Sequence, residues 1–323
     1  MTSTGPGNPA LARFARITAG ATFLLLMAGA SVTSTGSALA VPDWPLSYGK
    51  VFPRMTGGVL FEHGHRMIAG VVAVLILVLC VWARRSEPRA WARRLAYAAG
   101  ALVLVQAALG GLTVLLLLPP AVSVAHAATA MLVFSCVVSF AVVTSRAWLE
   151  SAAGVSARAA RLAPWTAAAT ALVFAQILVG AVMRHLGAGL AFPDFPLAGG
   201  QLVPVLHSMY QAIHFFHRVG GVLVTLAVWT LAASAFGLKR EAPVVWKLAY
   251  YAAILVVFQF ALGAASILTG LNPFVTVAHH AGGAALLALL LSCTLWCFRL
   301  ARPAQAPLSR PLAGEAALAQ ETP

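Results

Sequence analysis

Between Glu62 and Arg66 the chain reads E-H-G-H-R, which places one carboxylate, two imidazoles (His63 and His65) and a guanidinium within about one helical turn. An uncharged, apolar run follows as far as Arg84. Imidazoles ligate metals, a guanidinium holds an anion, and a carboxylate stabilises positive charge or accepts a proton. Ionisable groups at the edge of a hydrophobic helix are costly, so by default they mark a functional site.

His65 does not stand alone. His126, His217 and His279 occupy related positions in a sequence written twice. "PDWP" at 42–45 returns as "PDFP" at 193–196, an offset of 151, and "HR" at 65–66 returns at 217–218, an offset of 152. "LVLVQAALGGLTVL" (102–115) matches "LVVFQFALGAASIL" (255–268), and "VSVAHAA" (122–128) matches "VTVAHHA" (275–281), both at 153. Each half therefore offers a facing histidine pair: His65 with His126, and His217 with His279.

Two imidazoles on opposite sides of a flat, apolar cofactor describe a six-coordinate haem. Zinc is the alternative, but it usually takes more ligands from a closed site, and neither H-E-x-x-H nor its inverted form is present. Small residues one turn after the histidines (Ala69, Ala130, Gly221 and Gly283) are expected to give a porphyrin clearance. Arg66 and Arg218 follow a ligand candidate directly and match a haem propionate in a two-pronged pair. Gln106 and Gln259 are repeat-related and suit interhelical hydrogen bonding. The halves differ in one place. Three residues before His65 stands Glu62, and three before His217 stands His214. At that spacing both members share a helical face, so Glu62 can look toward the first haem pocket, although a carboxylate is also favoured at a helix N-terminus on dipole grounds alone.

The elements that must position these groups are membrane helices. Of 323 residues 61% are hydrophobic and 9% charged, too apolar for a soluble domain. Spans of about 20 apolar residues are expected near 13–32, 64–83, 94–117, 121–145, 162–183, 211–236, 247–270 and 274–298. With both termini cytoplasmic, sixteen of the 21 Lys and Arg fall inside, and five (Lys50, Arg54, Arg66, Arg184, Arg218) outside. The net charge of +13 is thus the positive-inside signal, and it argues against a nucleic-acid groove. The expected fold is an all-α integral membrane protein: eight transmembrane helices as two tandem parallel four-helix units, 13–146 and 162–302. Residues 147–161 would be a cytoplasmic linker, and 1–12 and 303–323 disordered tails. "SALA" before Val41 imitates a signal-peptide cleavage site, but "AGLA" stands at the related mid-chain position, so the first helix is read as retained. Cys80, Cys136, Cys293 and Cys297 all fall within expected helices and are read as buried packing.

Glu62-x-x-His65-Arg66, the paired histidines, the repeat and the "PDWP" loop together resemble the haem A synthase family over about residues 15–300. The resemblance implies oxidation of the C8 methyl of haem O to a formyl group through successive hydroxylations. It implies substrate haem between His65 and His126, with Arg66, and a cofactor haem b ligated by His217 and His279, passing electrons, with Arg218 at a propionate. Glu62 would stabilise cationic character at the methyl or take a proton from attacking water. Haem O synthase, a membrane electron acceptor and a homo-oligomeric partner are further expectations, in a bacterial plasma membrane. Some members carry a cysteine pair in the first outer loop, which residues 33–63 lack. The competing readings are a di-haem cytochrome b that only carries electrons, which leaves Glu62 without a role, and a haem or metal transporter, which wants a polar inward path that these helices lack.

Overall fold

The computed structural model describes residues 7–151, 154 and 156–301. Eight long helices are apolar enough to cross a membrane. They are α1 (Pro9–Ser34), α2 (Gly58–Ser86), α3 (Ala90–Leu115), α4 (Pro120–Val143), α6 (Ala157–His185), α7 (Met209–Ala235), α8 (Pro243–Leu268) and α9 (Pro273–Ala301). A short α5 (Arg146–Glu150) lies between α4 and α6, and no strand occurs among the described residues.

Helix starts follow local chemistry. Proline opens α1, α4, α8 and α9, where its missing N–H costs nothing. Asn8 caps α1 by accepting from the backbone N–H groups of Ala10 and Leu11, so residues 9–12, expected in a tail, are helical. Residues 1–6 and 302–323 lie outside the described part. Gly57, at φ 56°, turns the chain into α2, which therefore begins at Gly58, one and a half turns before the expected start. Glu62, His63 and His65 consequently sit inside α2 rather than at its lip.

The helices pack as two neighbouring rings. In the first, α1 meets α2, α2 meets α3, α3 meets α4, and α4 returns to α1; α6, α7, α8 and α9 repeat that order. The rings touch through α1, α4, α6 and α9. Accordingly α4 and α9 are the most buried spans. Small buried residues such as Ala92, Ala159, Ala163, Ala235 and Ala249 let backbones approach closely, which drives helix association where the lipid is as apolar as the side chains. The expected linker is partly helical and docked: Trp148 of α5 packs edge-on against Trp296 of α9 at 5.2 Å.

The loops that connect α1 to α2 and α6 to α7 share one construction. Asp43 accepts from the backbone N–H groups of Tyr48 (2.6 Å) and Gly49 (2.8 Å). Asp194 accepts in the same way from Gly199 (2.9 Å) and Gly200 (2.8 Å). Each turn closes with a single antiparallel bridge, Ser47 with Lys50 and Ala198 with Gln201.

Candidate functional site

The four repeat-related histidines lie seven to nine residues into α2, α4, α7 and α9, and each meets a glycine on the preceding helix. A Cβ added to Gly29 would stand 3.1 Å from Cε1 of His65, and one at Gly110 3.1 Å from Cε1 of His126. The corresponding distances are 2.9 Å for Gly180 and His217, and 3.0 Å for Gly263 and His279. Each ring's Cε1 therefore lies close against bare backbone, and any side chain at these positions would require the ring to shift. His126 is within electrostatic reach of His65, and His217 of His279.

One helical turn before three of these glycines stands a glutamine. The amide Nε2 of Gln106 lies 3.2 Å from Nε2 of His126. The Gln176 amide donates to the backbone carbonyl of His217 at 2.6 Å and lies 3.1 Å from its Nδ1. Gln259 and His279 hold each other reciprocally: the Gln259 amide donates to the His279 carbonyl (2.9 Å), and His279 Nδ1 meets the Gln259 carbonyl (3.1 Å). The small residues Gly221 and Gly283, expected to clear a porphyrin, face the Gln176 and Gln259 side chains. His280 turns to its own helix, its Nδ1 2.9 Å from the Thr276 carbonyl, which leaves His279 as the residue aligned with His126.

Glu62 and His214 occupy the same structural place. Glu62 is buried, accepting through Oε2 from the backbone N–H of Val41 (2.9 Å) and through Oε1 from Arg66 (2.6 Å). His214, also buried, accepts through Nδ1 from the backbone N–H of Phe192 (3.4 Å), 151 residues after Val41. Both side chains tie the preceding loop to its helix, and only the first is a carboxylate. Arg66 donates further to the carbonyls of Asp43 (2.7 Å) and Leu46 (2.9 Å), and Arg218 to those of Leu197 (2.8 Å) and Phe192 (2.7 Å). Apart from the Arg66–Glu62 pair, the bonds of both guanidiniums thus go to the loops, and Nε of Arg218 is buried without a partner. A second difference between the halves was not read from the sequence. His63 is buried with Nδ1 2.7 Å from Ser47 Oγ, whereas Phe215 and Ala198 stand at the related positions.

The family model described as cytochrome oxidase assembly protein, COX15-CtaA, matches residues 54–291. A protein named haem A synthase from Halalkalibacterium halodurans is 30% identical over 82% of this chain and 90% of its own length. The chain belongs to the haem A synthase family. Proteins of the same name from Alkalihalophilus pseudofirmus (29% identical, 78% of this chain, 86% of that protein) and Symbiobacterium thermophilum (30%, 79% and 85%) are similar over comparable spans.

For a member of the haem A synthase family, the donor set must suit a group that brings its own equatorial ligands. It does. Among the described residues no three His, Cys, Asp or Glu side chains converge as a metal cage would require. The imidazoles come in pairs, which is what a haem asks of a protein. The glycine walls and the buried, unpartnered Nδ1 atoms of His65 and His126 show rings placed for something other than mutual packing. The glycines and Gln176 were missed in the sequence because they act across helices. The spacing Gln-x-x-x-Gly at 106/110, 176/180 and 259/263, present in three of the four helix pairs, was the available signal.

Proposed function

We propose that this chain is a haem A synthase, oxidising the C8 methyl of haem O to a formyl group through successive hydroxylations. In this reading His65 and His126 hold the substrate haem in residues 13–146. His217 and His279 ligate a resident haem b in residues 162–302, which when bound passes electrons away from the reaction. The observation that carries the reading is the one difference between the two sites that involves an acidic group: Glu62 beside one histidine pair, His214 beside the other.

Glu62 is held at two oxygens before any substrate arrives, so its charge is oriented in advance. A fixed carboxylate in a dry site favours positive character developing at the methyl, or accepts a proton from attacking water. Arg66 keeps that carboxylate in place and seals the loop over it. Arg218, with an unpartnered Nε, is the better placed of the two arginines to meet a haem propionate.

The test is a haem extraction profile from cells carrying Glu62→Gln, normalised to protein. Glutamine can still accept from Val41, so the protein should fold and keep its haem b. Haem A should fall by about 100- to 1000-fold, the usual cost of one preorganised electrostatic group, with haem O or a hydroxylated intermediate accumulating. His214→Gln should leave haem A production far less affected. Near-normal haem A from Glu62→Gln returns that residue to a purely structural role. Haem b alone in the parent protein, by pyridine haemochrome, supports an electron-carrying di-haem cytochrome instead.

A further inference from the structure

The two halves are filled differently at one seam. In the second half Phe260 of α8 closes the gap toward α7. Its ring meets the loop ring of Phe195 edge-on at 5.9 Å. Its Cδ2 lies 4.0 Å from where a Cβ on Gly221 would stand, one turn after His217. Arg218 in turn covers Phe195, with its Cζ 5.8 Å from the ring centre. Two helices and a loop are thus joined by one aromatic plug.

The first half has the same elements without the plug. The repeat puts Ala107 of α3 in the place of Phe260, and Ala69 of α2 in the place of Gly221. The exchange adds one methyl group to the seam and removes a whole ring. The loop ring that answers Phe195 is Trp44, and it sits elsewhere. A Cβ on Gly111 would be 2.8 Å from the indole, so Trp44 rests on α3 one turn nearer the loop than Ala107. The halves meet through α1, α4, α6 and α9, which turns the α2–α3 and α7–α8 seams away from the junction, toward lipid. Phe260 is 38% exposed there, and Ala107 is exposed as well.

That difference matches a difference between two haems. Haem O is haem b with one vinyl group extended into a hydroxylated farnesyl chain. A close-packed bundle has no room for such a chain, whereas an apolar slot that opens on lipid takes it at no cost in exposed apolar surface. We infer that the α2–α3 seam is the passage for the isoprenoid chain of the substrate haem, roofed by Trp44 and kept open by Ala107. Phe260 closes the equivalent seam of the second half against a haem that carries such a chain. The inference rests on the proposed placement of substrate haem at His65 and His126. Ala107 and Phe260 are specificity-determining residues, and neither supplies a ligand.

The experiment titrates the full-length protein with haem O and, separately, with haem b, following the low-spin absorbance of a six-coordinate iron. One ligand of the other pair is removed so that each titration reads one half: His279→Ala leaves the first pair complete, and His126→Ala the second. In the His279→Ala background, Ala107→Phe should weaken haem O binding by about 10- to 200-fold, the scale on which an apolar pocket discriminates small differences in bulk. Haem b binding to the same pair should stay unchanged. In the His126→Ala background, Phe260→Ala should strengthen haem O binding by a comparable factor, again with haem b unchanged, and this arm decides the matter if Ala107→Phe does not fold. Parental haem O affinity in Ala107→Phe or in Phe260→Ala overturns the inference, as does an equal loss of both haems in Ala107→Phe. Either result leaves the proposed function standing. A His279→Ala protein that binds neither haem at His65 and His126 removes both.

Discussion

At the scale of single residues, the site depends on atoms that are missing as much as on those present. A methyl group at Gly180 would lie 2.9 Å from the His217 ring, closer than side-chain carbons settle without movement. Gly180→Ala should therefore push the ring off its ligating angle and lower haem b per protein severalfold, measured by absorbance on material that still elutes as a folded species. His279→Ala should abolish the low-spin haem b spectrum because the iron is left one ligand short. His280→Ala should keep it, since that ring bonds within its own helix. Loss on His280→Ala with retention on His279→Ala would shift the alignment of α9 by one residue. The histidines, Glu62 and the arginines were legible in the sequence because a duplicated chain displays its own comparison. The contacts of Arg66 and Arg218 were not, because a carbonyl acceptor leaves no trace in residue type.

At the scale of elements, the number and order of the eight spans could be read from apolar length alone, and their ends could not. The second turn of α2 carries Glu62 and two histidines, which an apolar window rejects, yet the helix starts at Gly58 because Gly57 supplies the turn and Glu62 and His63 find partners in the preceding loop. The outer loops were recognisable as a repeat, but their internal clamp was not. In each, backbone N–H bonds to the aspartate, Gly49 first for Asp43 and Gly200 first for Asp194, hold the carboxyl below its ordinary value of 3.8. A depressed carboxylate stabilises its loop above the unfolded pKa and loses that contribution as pH falls through the folded one. The amides of Tyr48, Gly49, Gly199 and Gly200 should stay protected from hydrogen exchange at pH 5 and above, and lose protection only below about pH 4. Mass spectrometry of outer-loop peptides across that range would detect it. Loss of protection already near neutral pH would mean the aspartates do not hold these turns.

At the scale of the whole molecule, the charge distribution predicts an orientation that can be checked directly. Reporter fusions after Arg89, Arg158 and Lys239 should report cytoplasm, and fusions near Lys50 and Leu202 the opposite side, because positive residues are retained inside. One inverted result among these loops would break the eight-span arrangement. Within it, α2, α4, α7 and α9 all cross in one direction and carry their histidines at nearly the same distance from their starts. The two pairs therefore lie side by side at one depth rather than one above the other. Moving a charge through the full membrane potential involves about 2.3 kcal/mol per 100 mV, but a charge passing from one pair to the other travels parallel to the membrane plane and crosses almost none of that field. On the proposed function, electron exchange between the halves would be electrically silent, so energising the membrane should neither brake nor drive it.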